Sequence, residues 1–207
     1  FSPDLVWIKQ RSGTNYHELY DTLRGPTQRL FSNATDASEG GSSLSSFDPG
    51  GFTVSGSSGS NQNLETFVAW SWDAGDTTVS NSQGDVTTQV RSNGDFSVVT
   101  YTGKQGPSSF GHGLSSTPDF VIIKNLDRST EWAVGHSSVG FEVGGNLNNT
   151  NAFSASNYFD STVPTSSIIS VGDNSAVCVT NSNFVAYCWA KNDTQSFGSY
   201  TASGNNA

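Results

Sequence analysis

Phe67-Val68-Ala69-Trp70-Ser71-Trp72 and Phe184-Val185-Ala186-Tyr187-Cys188-Trp189 are one pattern written twice in this chain. Both runs hold aromatic and β-branched residues, exclude Gly and Pro, and are bounded by loop-forming residues, which predicts strands. The two-residue period puts Phe67, Ala69 and Ser71 on one face and Val68, Trp70 and Trp72 on the other. The first face is small and the second heavy. The second copy keeps that arrangement, so the repeat is the first matter to settle.

The echo spreads outward from these strands. Pro3-Asp4-Leu5-Val6-Trp7-Ile8-Lys9 matches Pro118-Asp119-Phe120-Val121-Ile122-Ile123-Lys124, and Gly25 matches Gly140, at a spacing of about 115 residues, the length of an independently folding domain. The spacing widens by two in the middle, so that Val54 matches Val171 and Phe67 matches Phe184. Ser97–Gly103 resembles the stretch that contains Ser199-Tyr200-Thr201. This is a tandem duplication. If the Tyr101 strand closes the first unit, the chain holds two copies, 1–108 and 109–207. If that strand opens the second unit, Ser199-Tyr200-Thr201 begins a third. Under either framing the chain reads as an excerpt of a longer repeat-containing protein.

Lys+Arg 9 against Asp+Glu 18 gives a formal net charge of −9, which argues against a nucleic-acid backbone and against an anionic membrane surface as partner. No run approaches the roughly 20 apolar residues of a spanning helix. Aromatic residues, at 12%, can fill a thin core between short strands despite the polar bias, which argues against disorder.

Strands are expected at Leu5–Lys9, Tyr16–Thr22, Thr27–Ser32, Leu44–Phe47, Gly51–Val54 and Glu65–Trp72. Further strands are expected at Val86–Arg91, Phe96–Tyr101, Phe120–Lys124, Glu131–Ser137, Ser166–Val171, Ala176–Thr180 and Asn183–Trp189. Asp48-Pro49-Gly50 and Asn93-Gly94 are turn signals. Asn33–Ser42, Ser55–Leu64 and Asp73–Asp85 read as loops. The expectation is an all-β fold of two tandem β-sandwich units, jelly-roll or lectin-like. A hairpin turning at Asn181-Ser182 would set Cys178 opposite Val185, leaving Cys178 and Cys188 as buried thiols; a disulfide would need another register.

Chemistry is sparse. His17, Glu18 and Asp21 are the one dense ionisable group; a strand puts His17 and Asp21 on one face and Glu18 on the other, and the second copy has Trp132, Ala133 and His136 there. The reading is edge polarity and no catalytic site. Asp73, Asp76 and Asp85 could offer oxygens to Ca²⁺, but no twelve-residue loop pattern accompanies them, so no metal and no cofactor is expected. Asn33, Asn148 and Asn192 open Asn-X-Thr triplets and are read as turn residues. Sugar binding is the functional reading with ingredients: aromatic rings beside polar loops at Tyr16, Tyr20, Trp132 and Tyr158, with Trp7 a further ring of that kind. Trp72 and Trp189 are read as core. A polysaccharide-degrading site would need two carboxylates in one cleft roughly 5–9.5 Å apart, and no spacing suggests them.

Leu19-Tyr20-Asp21-Thr22-Leu23-Arg24-Gly25, Ser45-Ser46-Phe47, Gly51-Phe52-Thr53-Val54 and Val68-Ala69-Trp70-Ser71-Trp72, with the opening Phe1–Lys9, resemble a recurring domain of tailed phages. In the second copy the resemblance rests on His112-Gly113-Leu114, Pro118–Lys124, Val185–Trp189 and Phe197–Thr201. Val139-Gly140 stands where the first copy has Arg24-Gly25. The resemblance implies a virion structural or tail-fibre-like protein at the particle surface, without enzymatic activity. It also implies other virion or fibre subunits as partners, a homo-oligomer, and host-surface glycans as a further partner class.

Overall fold

The computed structural model describes residues 1–41, 43–56 and 59–204; Ser42, Ser57 and Ser58, expected in loops, lie outside the described residues, as do residues 205–207. Among the described residues there are strands and turns and no helix. The all-β sandwich expected from the sequence is the fold that forms.

The first copy supplies β1 (Leu5–Gln10), β2 (Glu18–Asp21), β3 (Gln28–Phe31), β4 (Glu39–Gly40), β5 (Leu44–Asp48), β6 (Gly51–Val54) and β7 (Phe67–Trp72). Then come β8 (Thr78–Asn81), β9 (Thr88–Ser92), β10 (Phe96–Thr102) and β11 (Ser108–Gly111). The second copy supplies β12 (Phe120–Asn125), β13 (Ala133–His136), β14 (Gly140–Asn146), β15 (Ser154–Ala155), β16 (Ile168–Val171) and β17 (Asn183–Trp189). One sheet has the order β4-β3-β2-β1-β7 and the other β15-β14-β13-β12-β17-β10-β9-β8. The first five strands of the second sheet repeat the order of the first sheet. β8, β9 and β10, within the expected first unit of 1–108, are hydrogen-bonded alongside β17.

The same bonds recur at matched positions. Asp4 accepts from Thr22 Oγ1 (2.8 Å) and Ala74 N (2.7 Å), while Asp119 accepts from Ser137 Oγ (2.8 Å) and Lys191 N (2.9 Å). Lys9 Nζ donates to the carbonyls of Gly13 and Asn15, and Lys124 Nζ to those of Arg128 and Thr130. Asn33 Oδ1 accepts from His17 N and Asn148 Oδ1 from Trp132 N. Those two asparagines are turn residues fixed by the fold. Gly25 (φ 91°) and Gly140 (φ 87°) both occupy the left-handed region that a residue without Cβ enters freely.

The heavy faces of the two repeated strands meet through Trp72 and Trp189, while Trp70 stays half-exposed. Leu5, Leu19 and Leu30 from one sheet and Val98, Ile122, Val185, Tyr187 and Trp189 from the other form one shared core, with Trp7, Trp72 and Phe120 packed against it. Trp72 and Trp189 touch edge to face, centroids 5.7 Å apart. On the outer side of the first sheet the β5–β6 hairpin covers Val6, Ile8 and Tyr20. On the outer side of the second, the β11–β16 pair covers Val99, Tyr101, Phe184 and Ala186.

Several expectations need correction. β8 lies inside the stretch Asp73–Asp85, expected as loop, because Thr78 and Val79 pair with Arg91 and Val90 as an added edge hairpin. Ala176–Thr180, expected as a strand, is a turn: Val177 and Cys178 donate to Asn174 O, and the apolar run is buried without any ladder. No hairpin therefore joins Cys178 to Val185. Both cysteines are free and buried, and burial pushes Cys188 up to about 12. β14 was hidden by its glycines; Cβ atoms at Gly144 and Gly145 would meet the rings of Tyr158 and Phe153, the close approach for which strand glycines are used.

Candidate functional site

The carboxylates that the sequence suggested as edge polarity are interior. Glu18 and Asp21 are both buried. Asp21 Oδ2 accepts from Arg24 Nε at 2.6 Å and from Tyr187 OH at 2.7 Å, and Arg24 Nη2 donates to Tyr187 OH at 3.3 Å. Arg24 reaches further to the carbonyls of Gln28 and Leu19. The ion pair thus carries a hydroxyl from the opposite sheet. Burial raises the Tyr187 hydroxyl well above the usual phenol range despite the guanidinium beside it. On the outer face, Tyr20 OH donates to Glu18 at 2.7 Å, and Arg29 lies between Glu18 and Glu39. A third link joins Arg91 of β9 to Asp4, 2.6 Å apart. Desolvation raises Asp4 despite that partner.

Lys124 is fully buried, and its ammonium donates to Thr35 O (2.9 Å) and Thr130 O (2.8 Å). Thr35 belongs to the first copy, so this cation ties the two sheets through a carbonyl. Desolvation pushes it down to about 8, against the pull of Asp36 and Glu131.

Around this frame lies a cleft of about 610 Å³ between the β2–β3 turn and the inner face of β9 and β10. Arg24, Gln28 and Ser38 line one side, and Gln89, Thr100 and Asn183 the other. Arg24 is neutralised by Asp21, and Asp127 Oδ2 is taken by Asn183 N and Nδ2. No side-chain hydrogen bond occupies Gln89 or Thr100 among the described residues. The cleft therefore offers amide and hydroxyl groups, with Arg24 neutralised by Asp21 and the Asp127 carboxylate hydrogen-bonded by Asn183, a lining suited to a polar molecule.

None of the four aromatic residues singled out from the sequence lines this cleft. Tyr20 and Trp132 are fully buried, which removes both as ligand platforms: Trp132 Nε1 donates to Phe31 O and Ala34 O, both at 3.0 Å, as a bolt between the sheets. Tyr16 is exposed and rests on Phe31, ring centroids 4.9 Å apart. Tyr158 is half-buried, donates to Asn146 Oδ1, and lines a smaller cleft of about 260 Å³ with Glu131, Asn174 and Thr35. Of the acids weighed for Ca²⁺, Asp73 binds Gly75 N, while Asp85 pairs with Ser109 and Lys104. Among the described residues no group of three or more His, Cys, Asp or Glu is placed to hold a metal ion.

The sequence reading passed over Arg24 and Lys124. The signal for Arg24 was its mismatch with Val139, matched by Trp70 standing where the second copy has Tyr187. Two paired departures from a repeat mark a contact that only one copy makes. In comparison with known proteins, the family described as "Domain of unknown function (DUF7483)" matches residues 1–207. No curated protein and no solved structure matches.

Proposed function

For this chain, which belongs to the DUF7483 family, a domain of unknown function, we propose a non-enzymatic structural role as a module of a virion surface or fibre, working alongside other subunits. The observation that carries the reading is the way its buried charges are used. Asp21–Arg24–Tyr187, Lys124–Thr35 and Arg91–Asp4 all tie one sheet to the other, and Trp132 bolts the same joint with an uncharged donor. Such links fix the relative placement of the two sheets, a property that a building block of an assembly needs. The acidic surface and the repeat architecture fit an external setting. Gold-labelled antibody against the folded chain should decorate particles or appendages in preparations of phage that encode it. Label confined to the unassembled fraction would contradict the role.

A second reading, binding of a neutral host-surface carbohydrate, is favoured by the amide-and-hydroxyl lining of the intersheet cleft. Titration calorimetry with neutral oligosaccharides should then give a signal that Gln89→Ala abolishes. An unchanged signal in that variant would place any binding elsewhere, and no signal with any sugar would end this reading.

A further inference from the structure

The two copies of the repeated strand have the same sequence pattern and opposite surroundings. β17 is hydrogen-bonded on both sides, to β12 and β10, whereas among the described residues β7 is bonded to β1 alone and is the last strand of its sheet. Ala186 and Tyr187 are fully buried; their equivalents Ala69 and Trp70 are exposed, Trp70 at 48%. An edge strand is normally blunted by Lys, Pro or a bulge. Phe67–Trp72 carries none of these and pairs with β1 in unbroken register over six residues. It is a pairing edge left open.

What such an edge accepts is shown by its twin. β10 lies antiparallel to β17, with Val98 opposite Tyr187, Val99 opposite Ala186 and Tyr101 opposite Phe184; the last two rings stack at 5.0 Å and 11°. The segment Ser196-Phe197-Gly198-Ser199-Tyr200-Thr201-Ala202 follows β10's Ser97-Val98-Val99-Thr100-Tyr101-Thr102-Gly103 position by position, with Ser, Tyr and Thr identical. In the structure this segment is in no strand, and Tyr200 is 93% exposed. Its start is held elsewhere: Phe197 stacks on Phe120 (5.8 Å) beside His136, and Gln195 donates to Ala190 O and Asp95 O.

We propose that the open edge of β7 is an assembly site that takes residues 196–202 of a second copy of this chain as an added antiparallel strand. Carrying over the β10–β17 register sets Phe197, once it leaves Phe120, opposite Trp70, Gly198 opposite Ala69 and Tyr200 opposite Phe67. Main-chain bonds hold the added strand, and the two aromatic pairs fix its register. Donor and acceptor are different surfaces, so the contact is head-to-tail and can propagate into a line of subunits. It supplies a subunit contact for the structural role proposed above, and rests on that reading only for its setting; its geometry rests on the edge.

The test is cross-linking of purified protein. Ala69→Cys and Gly198→Cys both lie at exposed positions, and the native cysteines are buried. Mixing the two single variants under mild oxidation should give a disulfide-linked heterodimer at least tenfold above the out-of-register mixture of Ala69→Cys with Thr201→Cys. Trp70→Lys in the acceptor, with its fold checked by circular dichroism, should abolish the product. The double variant Ala69→Cys/Gly198→Cys should form a ladder of linked chains. Equal yields from the two mixtures, or closure of the double variant within single chains, would overturn the proposal. Neither outcome depends on whether the protein belongs to a particle.

Discussion

Replacing Arg24 by Met tests the joint between the sheets at its most demanding point. The Asp21 side chain is 0% exposed and that of Arg24 5%, so the pair is almost wholly withdrawn from water even though Arg24 borders the cleft. After Arg24→Met, Asp21 keeps only Tyr187 OH and the backbone N of residue 24 as donors. Breaking a buried pair from one side leaves an uncompensated charge and typically costs about 3–5 kcal/mol. With a urea slope of roughly 2 kcal/mol per M, the unfolding midpoint should fall by roughly 1.5–2.5 M. Tyr187→Phe, which removes one hydrogen bond to the carboxylate, should cost about 1.5–3 kcal/mol. Arg24→Met combined with Asp21→Asn removes both charges and should recover much of the loss, since the desolvation penalty goes with them. Equilibrium urea unfolding of the four proteins, followed by tryptophan fluorescence, reads all of these shifts. An Arg24→Met protein within 1 kcal/mol of the parent, or a double variant that loses as much as Arg24→Met alone, would refute the reasoning.

Trp132→Ala should lower stability by about 3–5 kcal/mol, because a buried ring is replaced by a cavity. Tyr16→Ala, at an exposed ring, should stay within roughly 1 kcal/mol; thermal unfolding compares the two, and reversed magnitudes would contradict the burial described. Lys124 titrates near 8 when folded and near 10.5 when unfolded, so between those values the unfolded chain binds more protons and stability must rise with pH. The stability difference between the parent and Lys124→Met should therefore shift in the parent's favour from pH 8 to 10, by at most about 1.4 kcal/mol per unit; a flat difference would refute it. Cys178 and Cys188 should react with a thiol reagent only after unfolding, and rapid labelling of the native protein would contradict their burial.

How much of this was legible beforehand follows from what a two-residue period can carry. The Phe67–Trp72 pattern and its echo gave the two strands and the expectation that Trp72 and Trp189 are core residues, but not the contact between those two rings. The Asn93-Gly94 turn came from local chemistry, with Gly94 at φ 98°. What no single strand encodes is which copy's face meets which. Trp132 looked like a loop-side ring until the Phe31 and Ala34 carbonyls of the other copy closed over it. Glu18 and Asp21 looked like surface acids because Arg29 lies on the next strand and Tyr187 across the interface, while Arg24 folds back on Asp21 from the turn three residues on. Ala176–Thr180 failed for a different reason: an apolar run signals burial, and a buried turn satisfies it as well as a strand.

The central claim is that one strand pattern serves two roles, β17 as an interior strand and β7 as an open edge. Hydrogen exchange at low protein concentration tests this most directly, residue by residue. β17 amides should exchange slowly throughout, while alternate amides of β7, those directed away from β1, should exchange orders of magnitude faster and slow down as concentration rises. Equal, concentration-independent protection along both strands would contradict it.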